Sequence, residues 1–132
     1  MRPFTHDETI RVRYGETDQM GVVWHGTYIA YFEVARTGAL RALGHSYRDI
    51  EETGVMMPVV EAGIVYHHPA RYDDVLTVRV EIRDRPTARM RFDYTVLGQD
   101  GAQLATGFTV LAFMHRDTRR PCKPPTFLRA LF

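Results

Sequence analysis

Residues 14–36 read YGETDQMGVVWHGTYIAYFEVAR, and the change of pattern inside them decides the fold. The stretch opens polar, with Glu16, Thr17, Asp18 and Gln19, and turns at Gly21. From Thr27 the apolar spacing becomes helical: Tyr28, Phe32, Ala35, Ala39 and Leu43 share one stripe. Ile29, Ala30 and Tyr31 widen that stripe, leaving Glu33, Arg36, Thr37 and Arg41 as the polar side. The spacing predicts a helix over Thr27–Leu43, about 25 Å long at 1.5 Å per residue, stopped by Gly44. A helix this apolar in its first turns must be enclosed by other structure. Its entrance carries unpaired N–H groups that favour negative charge. Asp18 and His25, placed just ahead of it, are therefore the first candidates for chemistry.

Outward from this helix the chain reads as strands. Ile10, Val12 and Tyr14 alternate toward a strand end at Gly15. SYRDIEETG predicts a turn or two of helix stopped by Gly54. Val60, Ala62, Ile64 and Tyr66 alternate next, then Leu76, Val78, Val80 and Ile82, then Met90, Phe92, Tyr94 and Val96. Asp73 and Asp74 read as turn residues opening a strand. GQDG reads as a hairpin turn. Leu104, Thr106, Phe108, Val110, Ala112 and Met114 alternate along a long final strand, and Phe127, Leu128 and Leu131 suit a short C-terminal helix. One long apolar helix with meandering strands predicts an α+β architecture, an antiparallel sheet curled around the helix. Leu97, Leu111 and Phe113 fall on the other side of their strands, which predicts a partner subunit.

The 132 residues suit one domain spanning 1–132 with a single core. A formal net charge of +1 gives no general pull toward nucleic acid. No stretch approaches the roughly 18 unbroken apolar residues of a membrane span, and MRPFTHDETIRVRY lacks the apolar core of a secretion leader. Cys122 is the only cysteine, so no internal disulfide forms. A cytoplasmic location is expected. Cys122 has no base beside it in sequence and is not proposed as a nucleophile.

The same stretch resembles the signature of the hotdog-fold acyl-CoA thioesterases, the 4-hydroxybenzoyl-CoA thioesterase-like family and its YbgC-type branch. The matching residues are Tyr14, Glu16, Thr17, Asp18, Gly21, Val22, Val23, Trp24, His25, Tyr28, Tyr31, Phe32, Glu33 and Arg36. A second segment, YHHPARYDDVL, matches through Tyr66, Pro69, Ala70, Asp73 and Asp74. The resemblance implies hydrolysis of acyl-CoA to a carboxylic acid and coenzyme A, with no cofactor. It makes Asp18 the catalytic carboxylate, as nucleophile or as base for a water. It aims the backbone N–H near His25 at the thioester oxygen and gives the His25 side chain a supporting role. Gly21, Val22, Trp24 and Tyr28 would border the substrate. The site would lie between subunits of a homo-oligomer, a dimer or a homotetramer of two hotdog dimers. His25 stands where the hydroxybenzoyl-specific enzymes carry tyrosine, which favours aliphatic acyl groups. No phosphate-cradling glycine loop is present, so Arg83, Arg85 and Arg89 are the candidates for the coenzyme A phosphates.

Plainer roles compete with these. Asp18 alone reads as a cap or turn residue, and Glu16 as a solvated loop acid. Glu33 is placed to pair with Arg36 or hydrogen-bond Thr37. His67 and His68 are adjacent on a strand and face opposite ways, a poor chelate, so no metal is expected. The arginines between Arg79 and Arg91 also suit a solvated strand face. Two other functions remain open: a hotdog hydratase or dehydratase that keeps the thioester, and a non-catalytic acyl-CoA-binding or scaffold protein.

Overall fold

Helix α1 spans Thr27–Ala42 and is the element around which the chain is built. The computed structural model describes residues 2–132. Five strands form one antiparallel sheet in the order β1-β4-β5-β6-β3. Their ranges are β1 Phe4–Arg11, β3 Val59–Tyr66, β4 Val75–Ile82, β5 Arg89–Leu97 and β6 Gln103–Ala112. Two short strands, β2 Val55–Met56 and β7 Met114–His115, pair separately. Helices α2 (Tyr47–Glu52) and α3 (Thr126–Arg129) complete the fold. This is the hotdog architecture, α+β, with α1 held against the sheet.

The helix ends as its residues dictate. Gly44 takes φ +98°, its N–H donates to the Arg41 carbonyl, and the His45 N–H donates to Leu40. That pair of bonds is a Schellman closure, and glycine adopts the left-handed conformation without a Cβ clash. Ser46 opens α2 with a capping box, its Oγ accepting from the Asp49 N–H.

Burial follows alternation in β4 and β5. Leu76, Val78, Val80 and Ile82 are fully buried, as are Phe92 and Val96, with Met90 and Tyr94 nearly so. Phe32 of α1 stacks on Tyr94 with ring centroids 4.1 Å apart and planes 3° from parallel. Burying a side chain of this size contributes about 1.5–3 kcal/mol.

Strand β6 departs from the expectation. Its face toward α1 carries Ala105, Gly107, Thr109 and Leu111, continued by Phe113; of the alternate set through Phe108, only Leu104 and Val110 are buried. The reason is steric. Gly107 lies under the Phe32 ring, and a Cβ there would meet ring carbons at 2.8 Å and the Gly63 carbonyl at 2.6 Å. Phe108 faces outward, under the Arg91 guanidinium at 4.3 Å. Leu111 and Phe113 are therefore core residues and need no partner subunit, while Leu97 is only half-buried. Edge strand β3 carries a run of exposed apolar residues, Val59, Val60, Val65 and Tyr66.

Arg36 does not lie on the solvent side of α1. It is buried, with 8% of its surface exposed, and its Nε donates to the Tyr47 hydroxyl at 2.8 Å. Glu33 is exposed and forms no ion pair with it. Strand β1 begins earlier than its apolar residues announce. His6 and Glu8 sit on its half-buried face, joined by a 2.8 Å bond.

Candidate active site

The site is built by the loop that joins β1 to α1. After Arg13 the chain makes a 3₁₀ turn, Tyr14–Glu16. Glu16 is not a solvated acid: its side chain is only 14% exposed. Its Oε1 accepts from the Arg13 N–H at 2.8 Å and from the Tyr31 hydroxyl at 3.0 Å. Its carbonyl accepts the Trp24 N–H at 2.9 Å and the Thr27 hydroxyl at 3.4 Å.

Between these anchors, residues 17–23 fold back on themselves. Thr17 bridges Val23, and the Asp18 N–H donates to the Val22 carbonyl at 2.9 Å. The Gly21 N–H donates to the Asp18 carbonyl at 3.0 Å, with φ +80° at Gly21. That conformation is open to glycine and strained for other residues. The Val23 N–H reaches the Ala70 carbonyl at 2.8 Å, tying the loop to the segment after β3. Asp74, at the end of that segment, accepts the Arg71 N–H on its carboxylate, and β4 then begins.

Asp18 is half-buried. Its Oδ1 accepts the Met20 N–H at 2.9 Å. Its second oxygen has no hydrogen-bond partner among the described residues, so it is available to an electrophile or a water proton. Helix α1 begins at Gly26 without a side-chain cap. The Trp24 carbonyl accepts the Thr27 N–H at 2.9 Å. In a trans peptide the C=O and the next N–H point opposite ways, so the His25 N–H is turned away from that bond. Among the described residues it has no backbone acceptor. Tyr66, at the end of β3, donates its hydroxyl to the His25 carbonyl at 2.9 Å and fixes the following peptide too.

These groups border a cleft of about 290 Å³ lined by Asp18, Met20, Val22, Val23, His25, Tyr28, Tyr66, His67, His68 and Pro69. A wider recess of about 790 Å³ lies on the other side of Asp18, against Tyr14, Thr17, Gln19, Gly21 and Tyr72. The His25 ring is exposed and packs beside Trp24, centroids 4.9 Å apart. Burial pushes the Tyr28 hydroxyl above its usual pKa, so it stays a neutral donor across the physiological range. Burial, and then the Glu16 carboxylate, do the same to Tyr31.

Asp18, Gly21, Val22, His25 and Tyr28 thus come together, with Trp24 beside His25. Arg83, Arg85 and Arg89 do not join them within one subunit. The cleft lies at the Arg11–Val75 end of the β1–β4 pair, and Arg83 and Arg85 follow the far end, Phe4–Ile82. Eight residues of strand separate the two ends, about 24 Å. Arg83 bonds Glu81 at 3.2 Å, Arg85 borders a recess with Phe4 and Phe132, and Arg89 opens β5 opposite Ala112. Sequence reasoning missed Tyr66, His67, His68 and Pro69 as lining residues, although Tyr66 and Pro69 stood in the second matched segment. In the sequence the two histidines suggest only a metal chelate, and a poor one. Among the described residues no cluster of three metal-ligating side chains occurs.

Residues 12–132 match the Thioesterase-like superfamily. The chain belongs to that superfamily. The acyl-CoA thioester hydrolase YbgC of Escherichia coli O6:H1 is 33% identical over 95 residues, 72% of this chain and 71% of that one. YneP of Bacillus subtilis is 39% identical over 92 residues, 70% of this chain and 67% of its own. Among solved structures, a DHNA-CoA thioesterase from Staphylococcus aureus superposes with a TM-score of 0.87 at 33% identity, covering 90% of this chain and 80% of that one. This superfamily member is a thioester-hydrolysing enzyme by kinship. No helix in it is long and apolar enough to cross a membrane among the described residues.

Proposed function

We propose that this chain hydrolyses acyl-CoA thioesters, with Asp18 delivering the attack and the His25 N–H receiving the developing oxyanion. The observation that carries this reading is the pairing of a free Asp18 oxygen with the uncapped entrance of α1 across one cleft. Addition to the thioester carbon puts negative charge on the carbonyl oxygen. A backbone donor already aimed there is worth about 10²–10³ in rate, or roughly 3–4 kcal/mol. Collapse breaks the C–S bond, the thiolate leaves with a proton, and water supplies the new carboxylate oxygen. Asp18 acts either as the nucleophile, through an anhydride that water opens, or as the base that deprotonates that water. The His25 side chain, exposed at the cleft mouth, assists the departing thiol. Met20, Val22, Val23, Tyr28 and Pro69 give the acyl group an apolar wall, which suits an aliphatic chain.

The exposed apolar edge of β3 supports a homo-oligomer in which a second copy covers it. Tyr66, which holds His25, ends that edge, so the cleft would be completed at the subunit junction. Any contact from Arg83, Arg85 or Arg89 to coenzyme A phosphates would come from that second copy. The single cysteine suits a cytoplasmic setting.

The test is thiol release from a panel of aliphatic and aromatic acyl-CoAs, with wild type and Asp18→Ala. Wild type should release thiol, and the variant should fall roughly a thousandfold or more. Equal rates would remove Asp18 from the mechanism. Enoyl absorbance changes without thiol would point to a hydratase, and tight binding without turnover to a sensor.

A further inference from the structure

We infer that Glu16 is a positioning residue for this reaction, setting the Asp18 carboxylate against the His25 amide through its bonds to Tyr31, Trp24 and Thr27. The inference rests on the roles proposed above for Asp18 and the His25 N–H. Those two groups lie on opposite arms of one loop, seven residues apart in sequence, and no direct bond joins them. Glu16 is where the arms meet. Its Oε1 takes the Arg13 N–H from the strand exit and the Tyr31 hydroxyl from the second turn of α1. Its carbonyl takes the Trp24 N–H, one residue before His25, and the Thr27 hydroxyl at the first position of α1. Asp18 follows two residues later.

The bond to Tyr31 is sheltered. Tyr31 is 2% exposed and the Glu16 side chain 14%, so water competes poorly for either partner. The Arg13 guanidinium also bonds the second Glu16 oxygen at 3.2 Å, but Arg13 is 82% exposed and adds little. An acid needed only to cap a 3₁₀ turn would be satisfied by Arg13 alone. The buried tyrosine that reaches it from α1 locks the turn to the helix whose entrance supplies the oxyanion donor. A misplacement of about 1 Å between reacting groups can cost as much as a hundredfold in rate.

The experiment uses Tyr31→Phe, Glu16→Ala, Glu16→Gln and, in parallel, Asp18→Ala. Trp24 is the only tryptophan, and its backbone N–H is bonded to the Glu16 carbonyl, so acrylamide quenching of its fluorescence reports loop order independently of turnover. Glu16→Ala and Tyr31→Phe should lower kcat roughly tenfold to a hundredfold with little change in KM, and should raise quenching. Glu16→Gln keeps an oxygen at the Oε1 position and should recover most of both. The idea is overturned if Tyr31→Phe and Glu16→Ala quench like wild type, or if Glu16→Gln falls as far as Glu16→Ala. Should Glu16→Ala not fold, Tyr31→Phe carries the test, since it keeps the ring and removes one hydroxyl. If Asp18→Ala retains full activity, the catalytic reading fails by itself, and the quenching data still decide whether Glu16 orders the loop.

Discussion

Helix α1 has two parts that obey opposite rules. Its middle turns, through Phe32, Ala35, Ala39 and Leu40, are fully buried within the hydrophobic core. Its entrance is open, uncapped by any side chain, and surrounded by backbone hydrogen bonds of a tight loop. The middle is shaped by volume and the entrance by direction. What this teaches is a separation of labour: packing holds the helix still, and in the proposed mechanism that stillness aims the bare N–H at its end. Substitutions at the entrance should change rate and leave stability, and substitutions in the middle should do the reverse.

The largest effect belongs to the entrance, where Asp18→Ala should abolish most turnover while the melting temperature holds. In the middle, Phe32→Ala should destabilise by about 3–5 kcal/mol, read from urea unfolding, because the Tyr94 ring loses its stacking partner and a cavity opens. Wild-type urea unfolding in this variant would break the comparison from the other side. Gly107→Ala tests the same contact by overfilling it. The added methyl meets Phe32 and the Gly63 carbonyl, and should cost about 1–3 kcal/mol. The smallest effect lies far from both. The Arg79 guanidinium bonds Asp7 and lowers its pKa below the ordinary 3.8. That contribution is present above the unfolded value and fades as pH falls through the lower folded one. Asp7→Asn should shift melting at neutral pH by under about 2 °C, since the pair is exposed. The difference from wild type should vanish in acid below the depressed pKa.

The parts legible in sequence were those with local signals. The apolar stripe marked α1 almost to the residue, and alternation marked β4 and β5. Gly44 and Gly21 announced their turns. What escaped depended on distant partners. Gly107 and Ala105 carry no hydropathy, whereas Phe108 does, so the inward face of β6 was inverted. Phe32, which dictates that choice, lies 75 residues earlier. Arg36 looked like a surface cation because its partner Tyr47 is eleven residues on, past the helix end. Glu16 looked solvated for the same reason, its tyrosine lying fifteen residues ahead. Of the candidate site, the loop and helix entrance were readable from one stretch. The Tyr66–Pro69 wall required the fold. The arginines of the β4–β5 region were grouped by sequence, but the length of β4 holds Arg83 and Arg85 away from Asp18 in the same subunit.

The most direct trial of the whole scheme is Asp18→Asn, assayed for thiol release beside its thermal melt. Asparagine keeps an oxygen to accept the Met20 N–H, and removes the charge and the second, unpartnered oxygen, which an amide NH2 replaces. The scheme predicts a native melting curve with turnover down by roughly a thousandfold or more. Wild-type turnover in a protein that melts normally would show that no anion at this position drives the chemistry.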